Sequence, residues 1–154
     1  YNIYKYSSST KKYTYVGTTT STKYTVKKLS SGKDYKYAVC AYKKVGTSKY
    51  LGAKSAIYTA KTSCGTPKMS SIKSPSKKMV KVTWKKTTGA NQYYVYVSTN
   101  GKKYTLKAKP TSTSVNITGL TSGKKCYVKI KAVRNINGKS YTSAYSAVKS
   151  IKVK

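Results

Sequence analysis

The chain has 154 residues, of which 33 are Lys or Arg against a single acidic residue, Asp34, and its formal net charge is +32. It contains no His and no Phe, but 18 Tyr. That balance excludes paired carboxylates, a Ser-His-Asp triad and oxygen-rich calcium sites, because general acid–base work needs groups that titrate near neutrality.

High charge with modest hydrophobicity is the usual composition of disorder. Here, however, Tyr, Val and Ile recur at every second position, the alternation of a half-buried strand. In chain order, YNIYKY (Tyr1–Tyr6) and KKYTYV (Lys11–Val16) read as a hairpin, and a further strand is expected near Lys23–Lys27. LSSGKDYKYAVCAY (Leu29–Tyr42) turns at Gly32 and then alternates, and SAIYTAKT (Ser55–Thr62) ends the first half. A linker, Ser63–Pro67, is short enough to restrict freedom between the halves.

In the second half an edge strand is expected within Pro67–Ser74, since a Pro stands at each end of that region. KMVKVTWKK (Lys78–Lys86) places Val80, Val82 and Trp84 on one face, and QYYVYVS (Gln92–Ser98) does the same for Tyr93, Val95 and Val97. Asn100-Gly101 is a hairpin signal, leading into KKYTLKA (Lys102–Ala108). TSVNIT (Thr113–Thr118) is a short strand. LTSGKKCYVKIKAV (Leu120–Val133) turns at Gly123, then puts Cys126, Val128, Ile130 and Ala132 on one face, with polar residues, mostly Lys, on the other. Asn137-Gly138 begins the return to a last strand over Ser146–Lys154. Seven short strands with regular turn signals form the pattern of a β-sandwich.

The halves are copies. LSSGK at Leu29 matches LTSGK at Leu120, KKYTYV matches KKYTLK, and SAIYTAKT matches SAVKSIKV, at a constant spacing of 91 residues from Tyr13 onward. An inward Trp84, a Tyr-x-Val on the following strand, and Leu-x-x-Gly before a long alternating strand resemble a fibronectin type III module. The family's L-x-P-G-x-x-Y-x-V-x-V turn reads Leu29-Ser-Ser-Gly32-Lys-Asp-Tyr35-Lys-Tyr37-Ala-Val39, with Ser31 in place of Pro; the later copy keeps Leu120, Gly123, Val128 and Ile130. The resemblance implies an all-β chain of two immunoglobulin-like sandwiches in tandem. Residues 1–62 are a partial module of strands C to G, truncated at A and B; 63–67 are the linker; 68–154 are a complete module. With one sheet uncovered, Tyr1, Ile3, Tyr35, Tyr37 and Val39 are expected to lie partly open, at a cost near 25 cal/mol per Å². Residues 1–62 alone are expected to be unfolded or associated.

Structural residues implied by the resemblance are Trp84, Leu29, Leu120 and Tyr35, whose hydroxyl is expected to bond back to the backbone just upstream. Cys126 stands where the first copy has Tyr35. A thiol cannot make that corner bond, so Cys126 is expected to pack as a small buried hydrophobe. Cys40, Cys64 and Cys126 form no metal-ligand cluster; free thiols are the default, with Cys40–Cys64 the one candidate disulfide. Asp34 sits in an ordinary turn position. Asn137-Gly138-Lys139-Ser140 ends like a phosphate loop, but the earlier Gly that such a loop needs is Val133.

No catalytic residue, cofactor or metal is therefore expected. Tyr94, Tyr96 and Tyr127 have outward parity and are weak candidates for a ligand-facing strip, against the alternative that cross-strand Tyr pairs stabilise the sheet under Lys stems. The style of the repeats resembles modules of large secreted or surface proteins of Gram-positive bacteria. It implies a non-catalytic spacer or presentation module outside the cell, neighbouring modules of the same polypeptide being its partners. The alternatives are an adhesion or carbohydrate-binding module, or the accessory domain of a secreted hydrolase. The charge allows attraction to an anionic cell-wall polymer or polysaccharide. Nothing reads a nucleic-acid groove specifically, and no apolar run near the roughly 18 residues of a membrane helix occurs. Self-repulsion at +32 is screened by salt. The melting temperature is thus predicted to rise from low to moderate ionic strength in calorimetry, and a flat profile would contradict this.

Overall fold

The alternating runs become thirteen antiparallel strands in a computed structural model that describes Tyr1–Lys154. The chain divides into two compact units, Tyr1–Thr62 and Ser63–Lys154.

The second unit is a two-layer sandwich. One layer is β6 (Met69–Lys73), β7 (Val80–Trp84) and β10 (Ser114–Ile117), in the order β10-β7-β6. The other holds β8 (Gln92–Ser98), β9 (Thr105–Ala108), β11 (Lys125–Ile136) and β12 (Lys139–Tyr145), in the order β12-β11-β8-β9, with β13 (Lys149–Lys152) also on β11. This is the A-B-E over C′-C-F-G layout of a fibronectin type III sandwich. Val80, Val82 and Trp84 of β7 face Tyr93, Val95 and Val97 of β8, and Cys126, Val128, Ile130 and Ala132 of β11. Trp84 meets Tyr93 edge-on at 5.2 Å. Each fully buried Val or Ile here is worth roughly 1.5–3 kcal/mol relative to exposure.

Two boundaries differ from expectation. Lys102–Tyr104 belong to the hairpin turn, because Asn100 Oδ1 accepts from the Lys102 and Lys103 N–H groups at 2.9 and 3.1 Å and holds them out of β9. The last strand starts earlier than Ser146 and is split. β12 follows the Asn137-Gly138 turn directly, and the register on β11 shifts between Lys131 and Val133. Two serines bridge the irregularity: Ser143 Oγ accepts from Ala132 N–H at 2.9 Å, and Ser146 Oγ from Ile130 N–H at 3.0 Å. Ser55, the copy of Ser146, accepts from Val39 N–H at 3.0 Å, so the same device recurs in the first unit.

The first unit is one sheet: β1 (Asn2–Ser7), β2 (Lys12–Thr18), β3 (Asp34–Val45), β4 (Ser48–Lys54) and β5 (Tyr58–Lys61), in the order β2-β1-β3-β4 with β5 on β3. It holds no counterpart of β6 or β7. The strand expected near Lys23–Lys27 does not form a ladder. In the second unit its counterpart, β10, pairs only with β7; without β7 the same segment has nothing to pair with.

The open layer inverts the burial of β3. On β11 the inward residues Val128 and Ile130 are fully buried, but their copies are a half-buried Tyr37 and a Val39 that is 39% exposed. Tyr1 is exposed and Tyr35 half-buried, whereas Ile3 is buried, against expectation. Ile3 lines the same cleft as Tyr24 and Val26 of the unpaired segment. The buried residues of β3 are Ala38 and Cys40, which have the outward parity.

Candidate functional site

The candidate Tyr residues lie on the outer face of the five-stranded sheet in the second unit. Register places them: Tyr96 is opposite Lys129, Tyr94 opposite Lys131, and Tyr127 opposite Ser98. All three rings are half-buried. Tyr96 meets Tyr145 edge-on at 5.3 Å. The ammonium of Lys129 lies 4.0 Å from the Tyr104 ring centre and 3.9 Å from that of Tyr145, and Lys131 is 4.4 Å from Tyr145. Lys109 covers Tyr94 at 5.4 Å and Lys125 covers Tyr127 at 5.3 Å. Such cation–ring contacts are worth about 0.5–1 kcal/mol each when exposed.

Tyr127 stands apart from the other two. Its ring packs over the hairpin turn at Gly101, where a side-chain carbon would come within 3.3 Å of it. Gly101 also has φ +71°, so the turn needs glycine twice over. Tyr104 and Tyr145, absent from the sequence-derived candidates, complete the cluster. Burial first, and then the neighbouring Tyr145 phenol, push the Tyr96 hydroxyl above its ordinary pKa.

The first unit has an outer Tyr/Lys face of its own. Tyr4 meets Tyr15 at 5.9 Å and Tyr6 meets Tyr13 at 4.9 Å. Lys54 sits 5.1 Å from both Tyr4 and Tyr13. Lys49 lies 3.7 Å over Tyr42 and donates to Asn2 Oδ1 at 3.1 Å. This cover is what buries Ala38, Cys40 and Asn2. The Cys40 thiol donates to the Gly52 carbonyl at 2.9 Å. At the 91-residue spacing Lys54 is the copy of Tyr145, while Ala38 and Cys40 are the copies of Lys129 and Lys131. The second unit sets the Tyr145 ring of β12 against Lys129 and Lys131 of β11, whereas the first sets the Lys54 ammonium of β4 against the Tyr4 and Tyr13 rings of β1 and β2, so both outer faces hold ring–ammonium contacts built from different positions.

The structural candidates have distinct surroundings. Trp84 is buried in the core, its Nε1 without a hydrogen-bond partner, so packing alone holds it. Leu120 packs against the same core, and Leu29 lines an open cleft in the first unit. The Ser30 N–H donates to the Tyr35 hydroxyl at 2.9 Å, closing a tyrosine corner. Cys126 is buried in the core, and burial raises its pKa. All three thiols are free and buried. No three His, Cys, Asp or Glu side chains converge. Asp34 is bound to Lys61 at 2.8 Å across β3 and β5.

This architecture is the fibronectin type III fold: all-β, immunoglobulin-like, one complete sandwich and one sheet built as its partial copy. A two-module fibronectin type III segment from chicken tenascin is similar over 99% of this chain and 83% of its own, at 18% identity and TM-score 0.59. The FN1–FN3 domains of chicken CNTN1 are similar over 99% of this chain and 56% of theirs, at 15% identity and TM-score 0.51. A beta-1,2-glucanase from Parabacteroides distasonis is similar over 69% of this chain, at 19% identity and TM-score 0.50, and this chain spans 16% of it. No family model matches the sequence, nor does any curated protein.

The corner in the first unit yields a prediction for the second. Cys126→Tyr should let a hydroxyl reach the backbone near Thr121 and stabilise the unit by about 1 kcal/mol. Urea denaturation measures it; unchanged or lowered stability would show a site packed around sulfur.

Proposed function

We propose that this chain is a non-catalytic spacer or presentation segment within a larger secreted or cell-surface protein, with neighbouring modules of the same polypeptide as its contacts. One observation carries the reading. In both units lysines of the chain itself lie against rings of the outer face, Lys54 against Tyr4 and Tyr13 and Lys129 against Tyr104 and Tyr145, although the positions that supply them differ. Such pairing of rings with lysine stems and ammonium groups stabilises the face itself and supports a structural role for it. The lone carboxylate is ion-paired with Lys61 and no titratable cluster accompanies it, which supports a role without chemistry. The glucanase supports the modular setting, since its similar part is a small fraction of that chain.

The charge favours a second reading, adhesion to an anionic cell-wall polymer or polysaccharide. Retention on heparin and on a neutral glucan, with and without the triple change Tyr94→Ser, Tyr96→Ser and Tyr127→Ser, separates the two. The spacer reading predicts weak retention on heparin that salt abolishes, no retention on glucan, and a variant that loses stability but not retention. Salt-resistant, Tyr-dependent retention on either polymer would overturn it in favour of a binding module.

A further inference from the structure

The two outer faces of the second sandwich differ in kind. On the five-stranded sheet Lys109, Lys125, Lys129 and Lys131 lie against Tyr rings. On the three-stranded sheet the outward positions of β6 and β7 hold lysines and hydroxyls, with no ring and no carboxylate. Register sets them in pairs. Lys73 is opposite Lys81, and Ser71 is opposite Thr83. Just past the strands, Lys85 N–H donates to the Lys68 carbonyl at 3.0 Å, which brings those two lysines level as well. Two lysine pairs thus bracket one hydroxyl pair on a single face. At a rise of about 3.4 Å per residue, Lys81 and Lys85 stand roughly 13 Å apart. Each pair lines an open cleft, of about 290 Å³ at Lys73 and Lys81 and about 240 Å³ at Lys68 and Lys85. All four lysines are exposed.

Like charges directly opposite across strands destabilise a sheet. Lysine on an edge strand guards against pairing with other chains, which accounts for Lys73 on β6. It does not account for Lys81, because β7 is the middle strand of the order β10-β7-β6. The chain's one acidic side chain, Asp34, is bound to Lys61 in the first unit and neutralises neither pair. An oxyanion set between two ammonium groups replaces their repulsion with attraction on both sides. The Ser71 and Thr83 hydroxyls line the first such cleft together with Lys73 and Lys81.

We propose that the outer face of β6 and β7 binds a linear polyanion bearing repeated phosphate or sulfate groups, one group between Lys73 and Lys81 and a second between Lys68 and Lys85. The inference rests on the attraction to an anionic polymer that the charge favours, and it assigns that attraction to one surface. Binding here is electrostatic and does not involve Tyr94, Tyr96 or Tyr127, which lie on the other sheet.

The test uses the full chain with inorganic polyphosphate and with dextran sulfate, so that phosphate and sulfate are read separately. Calorimetry measures affinity over a series of salt concentrations. The strip variant carries Lys68→Gln, Lys73→Gln, Lys81→Gln and Lys85→Gln. A control of equal charge carries Lys102→Gln, Lys103→Gln, Lys107→Gln and Lys139→Gln, all exposed and away from β6 and β7. The strip variant should lose about tenfold or more in affinity and flatten the slope of log K against log salt by about one per contacting lysine, while the control changes by only about twofold. Lys73→Glu alone places opposite charges across the strands, so it should raise the melting temperature and still weaken binding. That separates lost binding from lost folding. Equal losses in the strip and control variants, or unchanged affinity in Lys73→Glu, would overturn the strip while leaving the attraction to the polymer standing. No binding by the unaltered chain would overturn both. Tighter binding of a DNA duplex than of either polymer would overturn the proposal in favour of a nucleic-acid face.

Discussion

A sheet with an apolar face is stable only when something covers that face, and the two copies in this chain differ above all in that respect. In Ser63–Lys154, β7 lays Val80, Val82 and Trp84 on β8 and β11, and the facing residues are all but inaccessible to water. In Tyr1–Thr62 the same turn and the same strand order recur without that layer. The consequences are local and specific. Val39 is open where Ile130 is sealed, and the segment matching β10 stays out of the ladder for want of a neighbour.

The opposite face of the sheet carries part of the burden. Lysine is usually a solvated surface residue, but here its stem and ammonium cover aromatic rings. In the first unit this makes a satellite core that buries Ala38 and Cys40 on the side that would ordinarily be wet. In the second unit the cover adds to a core that already exists. The +32 charge is thus not only a repulsive coat, and the ring–cation contacts need no partner molecule to account for them.

Much of the fold is legible in the sequence because local signals fix it. β8 begins and ends at Gln92 and Ser98 as read, between a Gly89 turn and the Asn100-Gly101 hairpin. The alternation from Cys126 to Ala132 names the buried face of β11 outright. What is illegible is what depends on a distant neighbour. Lys23–Lys27 has the alternation of a strand and lacks only its partner. Tyr145 escapes notice because the last strand reads as starting at Ser146, and the register shift opposite Lys131 leaves no mark in composition. That Lys54 stands at the copy of Tyr145 is written in the 91-residue spacing, but the rings and cations each of them meets become visible only once the strands are paired.

The central claim is that the β6–β7 layer, and not the repeated sheet, supplies cooperative stability. Native-state hydrogen exchange on the intact chain tests it at matched positions, comparing Val128 and Ile130 of β11 with Tyr37 and Val39 of β3. The account predicts that the β11 amides exchange only through global opening of their unit, at a cost within the ~5–15 kcal/mol usual for a domain. The β3 amides should exchange at least about a hundredfold faster, through sub-global opening. Equal protection at the two sets of sites would contradict it.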